Sequence, residues 1–383
     1  MTIPTARHNQ DNSREKALFL AFELSHRNWK LGMTIGYGQK ARERDVTAGD
    51  LLQLQEEIRL AKKRFGLSQA APVYSCYEAG RDGFWLHRAL SEMGVENVIV
   101  DPSSIEVPRR KRRAKTDRLD VCNLLRLLLR YRLGEPKVWS VVRVPSVEAE
   151  DSRHLHRELA ELKRERTRQI NRIKGLLICV GVRERLRWRR DFSSQLEQIR
   201  LWDGSRLPPA LHCRLLREHQ RLECVQRQIQ ELEGDRAELL RECHSPETEI
   251  ARKMTLLRGV GANGAWLIAM EFFSWRDLRN RRQVGALAGL TPTPHSSGEM
   301  GREQGISKSG NRHIRSIAIE LAWCWLRFQP RSQLSRWYQQ RFGGGSPRLR
   351  RIGIVALARK LLVALWRWVD QSTLPAGAEL KAA

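Results

Sequence analysis

Several features are missing from this chain of 383 residues, and each absence excludes a class of protein. No apolar run approaches the roughly 20 residues that a membrane-spanning helix needs. The first residues, Met1-Thr-Ile-Pro-Thr-Ala-Arg-His-Asn-Gln10, lack the apolar core of a secretory signal, so a soluble intracellular protein is expected. The seven cysteines are scattered at 76, 122, 179, 213, 224, 243 and 324, with no Cys-x-x-Cys spacing. That argues against a zinc site and against a disulfide framework. No Gly-x-Ser-x-Gly elbow surrounds any candidate serine nucleophile. Acids are also short against bases, 43 Asp and Glu facing 69 Lys and Arg, for a formal charge of +26. Such a field attracts polyanions, nucleic acid first among them.

What is present divides into three stretches. Residues 1–16 are a polar tail, expected to be disordered. Residues 17–140 then read as strands at 17–24, 29–35 and near 44–47, a helix at 48–66, a strand at 72–78, a helix at 82–94, a strand at 97–101 and a helix from 117 to 133. Three strands followed by helix, strand, helix, strand, helix is the order of a ribonuclease-H-like α/β domain, in which the first and fourth strands are neighbours. Residues 147–245 repeat apolar positions at spacings of three and four: Leu155, Leu159 and Leu162, then Leu222, Val225, Ile229, Leu232 and Leu239. With the breaker Gly204-Ser-Arg-Leu-Pro-Pro209 between two such runs, they predict an antiparallel coiled-coil hairpin whose apolar faces also drive self-association. Residues 250–375 predict a mainly helical domain. Gly259-Val-Gly261 sits between two helical stretches, a helix-hairpin-helix-like arrangement suited to bringing backbone N–H groups close to a phosphate. Residues 287–298 are rich in turn residues and read as a flexible loop, followed by helices at about 311–327 and 351–370.

Four carboxylates stand out in the first stretch. Glu23 and Glu78 each close an apolar strand, Ala17-Leu-Phe-Leu-Ala-Phe-Glu-Leu24 and Pro72-Val-Tyr-Ser-Cys-Tyr-Glu78. Asp117 and Asp120 lie three apart on one face of a helix that Thr116 introduces. Acids in a first helical turn also complement the helix dipole. That account does not cover the two glutamates. Together the four suit a hard divalent cation, Mg²⁺ with Mn²⁺ as its substitute, and so chemistry on a phosphodiester. Just before them, Arg109, Arg110, Lys111, Arg112, Arg113 and Lys115 form an almost wholly cationic run, read as a phosphate contact in preference to a solvated loop or a localisation signal. Twelve tryptophans are present. Stacking on bases is one use for them, and helix packing accounts for most. Ser296 and Ser297 precede Gly298, and local sequence alone makes them turn residues.

Longer motifs carry more. Phe22-Glu-Leu-Ser25, Tyr77-Glu-Ala-Gly80 and Lys115-Thr-Asp-Arg-Leu-Asp120 occupy the first stretch. Leu257-Arg-Gly-Val-Gly261, Leu287-Ala-Gly-Leu-Thr-Pro292, Ser296-Ser-Gly298 and Lys308-Ser-Gly-Asn-Arg312 occupy the last. With these, nearly the whole chain resembles the insertion-sequence one-ten family of transposases, DEDD recombinases guided by a bridge RNA. The resemblance implies a RuvC-like domain with Mg²⁺ on Glu23, Glu78, Asp117 and Asp120, and a second domain whose nucleophile is Ser297. Arg302, Lys308 and Arg312 are then placed to neutralise phosphate. It further implies donor and target DNA, a structured guide RNA, a dimer or tetramer sharing composite sites, and a nucleoid-associated protein of a prokaryotic cytoplasm. The chain departs from the family in one acid: the first is usually Asp, and Glu23 carries its oxygens one methylene further out. The alternative enzyme is a junction-resolving nuclease that uses the acids and activated water. A non-catalytic nucleic-acid scaffold is a third reading.

Overall fold

The computed structural model describes residues 16–105, 116–183, 186–188, 191–297 and 300–381, with the backbone alone at 294–297 and 300–304. The cationic run at 109–113 and Lys115 lies outside the described residues. The chain divides into two compact units, residues 1–144 and 145–383.

The first unit is built on a five-stranded sheet. Strands β1 (Leu18–Leu24), β2 (Asn28–Thr34) and β3 (Arg42–Thr47) form an antiparallel meander. After helix α1 (Leu51–Arg64), strand β4 (Val73–Glu78) adds parallel to β1, and after α2 (Trp85–Glu92), β5 (Val95–Val100) adds parallel to β4. The order is β3-β2-β1-β4-β5, so the first and fourth strands are neighbours, as their sequence order predicts. The central strand β1 is apolar on both faces because both are covered. Leu18, Leu20 and Phe22 pack with Leu54 and Ile58 of α1 and with Leu86 and Leu90 of α2. Ala21 points the other way, towards Val121, Leu124 and Leu128 of helix α3 (Asp117–Arg132). Helix starts follow local chemistry: the Asp50 side chain accepts from Gln53 N–H and the Thr116 side chain from Leu119 N–H. Gly32 of β2 lets α3 sit close to the sheet, since a Cβ there would lie 2.8 Å from Val121 Cγ1.

In the second unit a short helix α4 (Val147–Asp151) leads into α5 (His154–Ile178), and α7 (Pro209–Glu242) returns along it. The pairing is antiparallel: Leu159 and Leu162 meet Val225 and Ile229 at one end, while Ile173 and Leu177 meet Leu215 and Leu222 at the other. The predicted seam is therefore closed within one chain, except that Leu239 is exposed. Helix α6 (Phe192–Gln198), which the sequence pattern did not reveal, packs Phe192 and Leu196 onto the far end. There a tight turn holds Leu201 N–H on Ser205 O and Gly204 N–H on Leu201 O, with Trp202 91% exposed.

The rest is a helical core. Helix α8 (Pro246–Thr255) and α9 (Ala262–Ile268) flank Gly259-Val-Gly261, and α9 runs on into a π-helical turn, Ala269–Phe273. Gly259, at φ +82°, brings the loop against Phe328 and the Cys324 carbonyl. Helix α10 (Arg281–Leu287) precedes the segment predicted as a flexible loop. That expectation is corrected: strands β6 (Pro292–Ser297) and β7 (Met300–Ile306) form an antiparallel hairpin. Helices α11 (Arg312–Phe328), α12 (Gln333–Tyr338) and α13 (Pro347–Gln371) complete the unit, with Trp325, Leu357, Leu361 and Leu365 in its centre. Among the described residues, no helix is long and apolar enough to cross a membrane.

Candidate active site

The carboxylates of the first unit are gathered by topology. Phe22 of β1 pairs with Tyr77 of β4, so Glu23 and Glu78 follow side by side at the carboxyl ends of two parallel neighbours. Ligands of open α/β sheets bind beyond such strand ends. Strand alternation puts Glu23 on the face of Ala21 and Glu78 on the face of Cys76, the face that α3 covers. On α3, Asp117 and Asp120 precede Val121 and Leu124 by four residues each, at the amino end of the stripe that packs on the sheet. Asp117 is exposed, while Asp120, Glu23 and Glu78 are half-buried. Arg118 anchors the helix start, its Nε donating to Glu43 of β3 at 2.9 Å.

The sheet face under α3 thus carries Glu23 and Glu78, while Asp117 and Asp120 stand in the first turn of that helix, and the four do not form a closed ligand set. Among the described residues, no group of three or more His, Cys, Asp or Glu side chains is placed to hold a metal ion. The donor chemistry still fits a hard cation, because Mg²⁺ binds through one or two carboxylates together with substrate phosphates and water. Cys76 beneath them is no rival ligand: burial pushes its thiol well up, and the Glu78 charge adds to this.

In the second unit the predicted serine is on a strand. Ser297 is the last paired residue of β6, opposite Met300; Ser296 pairs with Gly301 and His295 with Arg302. The stem below is clamped by backbone bonds: Ser307 N–H to Thr291 O at 2.9 Å, Lys308 N–H to Gly289 O at 3.2 Å, and Asn311 N–H to Leu287 O at 2.9 Å. Gly310, at φ +101°, lies so close to the Leu287 carbonyl that a Cβ would come within 2.3 Å of it. Lys308 on this stem and Arg312 just after it are both exposed. The Arg302 side chain is outside the described residues.

Beneath the stem is a carboxylate that sequence reasoning missed. Glu271, in the π-helical turn and 1% exposed, receives four hydrogen bonds. Arg157 donates from Nε at 2.7 Å and from Nη2 at 3.2 Å, His156 Nε2 lies at 2.9 Å, and Asn311 Nδ2 donates at 3.0 Å. Burial alone would push this carboxyl up, but the bonds from His156 and Arg157 and the Arg157 charge outweigh it and hold the group well below the usual carboxylate range. Asn311 also caps α11, accepting from His313 and Ile314 N–H. Glu271 therefore ties the root of α5 to the stem of the Ser297 hairpin. A signal was available: a lone acid inside the apolar run Leu267-Ile-Ala-Met-Glu-Phe-Phe273 has to be paired if that run is buried.

Residues 251–338, which hold this carboxylate, the hairpin and α11, match the family model of IS116/IS110/IS902 transposases. The protein y4rJ of Sinorhizobium fredii, which carries a transposase name, is 42% identical, with 95% of each chain covered. The chain belongs to the IS110 family of transposases. Two further relatives also carry transposase names. The transposase of the element IS1328 from Yersinia enterocolitica is 27% identical over 57% of this chain and 63% of its own. That of IS1111A from Coxiella burnetii is 27% identical over 63% of this chain and 62% of its own. Membership makes the chain a DNA-processing enzyme of insertion sequences.

Proposed function

We propose that this transposase cuts and rejoins DNA strands with Ser297 as nucleophile and with Glu23, Glu78, Asp117 and Asp120 as the acids that hold Mg²⁺. The observation that carries the reading is the placement of Ser297 at the end of a hairpin whose stem is clamped by backbone bonds and by Asn311 on Glu271. A serine that must meet a phosphorus atom in line benefits from a stiff mount. In the first exchange a bond forms between the Ser297 oxygen and the scissile phosphorus, and the bond from phosphorus to a sugar oxygen breaks. The serine proton ends on the freed strand hydroxyl. In the second exchange a strand hydroxyl displaces the serine, which recovers its proton. The phosphoester is conserved throughout, so no nucleotide triphosphate is consumed. Lys308 on the stem and Arg312 just after it, with Arg302, neutralise the phosphate. When bound, Mg²⁺ supplies charge neutralisation at the scissile phosphate. A structured non-coding RNA selects donor and target by base pairing, and a dimer or tetramer brings the acids of one subunit to the serine of another.

Labelled DNA on denaturing gels tests the chemistry. Ser297→Ala is expected to keep DNA binding while losing both the covalent protein–DNA band and strand exchange. Mixing it with Asp117→Ala protein is expected to restore some exchange. A band that persists in Ser297→Ala moves the role to Ser296. Cleavage by the wild type with no adduct under any trapping condition gives the site to the water-using nuclease.

A further inference from the structure

Along α13 runs a groove of about 830 Å³, bounded by α10, the foot of the β6–β7 hairpin, α12 and residues 373–376. Its floor is apolar, with Leu290, Ile306, Leu334 and Val363 among the side chains that form it. Its edges carry Arg281, Arg359, Lys360 and Arg367, and among the described residues no acid lines it. Among the described residues none of these four cations has a carboxylate partner, although Arg157, Arg172 and Arg252 elsewhere in the same unit do. Two of the four are held by built features. Lys360 Nζ lies 4.6 Å from the centre of the Trp337 ring. Arg359 lies across Gly285, where a Cβ would come within 2.9 Å of its Nε. The glycine clears the path for the guanidinium.

An apolar floor edged by cations without carboxylate partners calls for a ligand with an apolar face and negative charge close beside it. Inorganic phosphate would leave the floor empty, because the groove has the size of sites that enclose a whole small molecule. A nucleotide supplies both parts: a base for the floor and backbone phosphates for the cations. A base stacked in an intact duplex cannot offer its faces, so the nucleotide must be unpaired.

We propose that this groove takes an unpaired nucleotide from the nucleic-acid strand passing the β6–β7 hairpin, its base on the apolar floor and its flanking phosphates on Arg359, Lys360, Arg367 and Arg281. The proposal rests on the reading of the chain as a nucleic-acid enzyme and not on the role of Ser297. The test uses full-length protein and fluorescence anisotropy across a salt series. The probes are a short oligodeoxythymidylate, the matching oligouridylate, and an abasic deoxyribose-phosphate strand of the same length. Wild type is expected to bind the strands with bases more tightly than the abasic one by about 5- to 100-fold, the range for stacking a base. Ala364→Phe, which fills the floor and leaves every cation in place, is expected to remove that preference with the salt slope unchanged. Arg359→Gln with Lys360→Gln is expected to weaken all three strands and to flatten the slope by about 0.7 log–log units for each phosphate that is no longer neutralised. A preference for thymidylate that the filling variant removes assigns the strand to DNA, and one for uridylate assigns it to RNA. Ala356→Phe serves in its place if circular dichroism finds Ala364→Phe unfolded. Ser297→Ala is expected to keep the preference, so that failure of the serine reading and failure of this one are separately visible. The proposal is overturned if wild type does not distinguish the abasic strand, or if folded filling variants still do. It is equally overturned if light scattering finds that filling dissociates an oligomer while strand binding is unchanged.

Discussion

At the scale of single residues, Glu271 has the most to lose. Its carboxylate is the common acceptor for Arg157, His156 and Asn311. Removing it strands the buried His156 and leaves the partly buried bonds of Arg157 and Asn311 unmade, so Glu271→Ala should cost about 3 kcal/mol in chemical denaturation. Its pH behaviour follows from the same bonds. The folded carboxyl is held below the ordinary value of 4.5, so its contribution is complete above that pH and is lost as pH falls further. Stability measured from pH 6 to pH 3 should therefore fall less steeply in Glu271→Gln than in wild type; parallel acid limbs would remove the carboxylate from this role. Residues differ in how far sequence exposes them. Glu23 and Glu78 are legible because each ends an apolar strand, a purely local property. The partners of Glu271 lie 115, 114 and 40 residues away, so only the need for some partner could be read from the run around it.

At the scale of elements, the α5–α7 pair has used its apolar stripe on itself. Leu159, Leu162, Val225 and Ile229 are buried against one another, and Arg172 and Arg221 serve Glu218 further along. Charges placed in the seam should accordingly act first on stability. Leu159→Asp and Ile229→Asp are each expected to cost about 3–5 kcal/mol. Thermal unfolding followed by circular dichroism checks this, and unchanged melting with an altered oligomer would move these residues to an interface between chains. Long elements were the legible ones. Helices α3, α5, α7, α11 and α13 repeat apolar residues for several turns, and Thr116, Asn311 and Ser346 mark helix starts with side chains that cap them. The β6–β7 hairpin was not legible. Pro292 and Pro294 suggest a loop, and prolines are tolerated in a two-stranded ribbon because each strand is an edge. Helix α6 spans only Phe192–Gln198, too short to display a period.

At the scale of the whole molecule, the α5–α7 hairpin has two separate roots in the helical core of its unit. On α5 the root is the bonding of His156 and Arg157 to Glu271. On α7 it is Arg236, whose Nη1 donates to Asn263 Oδ1 at 3.1 Å. Between the roots and the far turn, two apolar zones hold the helices together without help from the backbone that joins them. That turn, Trp202-Asp-Gly-Ser205, is exposed and is the sort of tip at which proteases cut. The polypeptide is therefore continuous there without needing to be. A chain severed between Asp203 and Gly204 should leave two fragments that travel as one body through a sizing column and part only in denaturant. Two genes, one ending at Asp203 and the other starting at Gly204, should yield the same assembled protein.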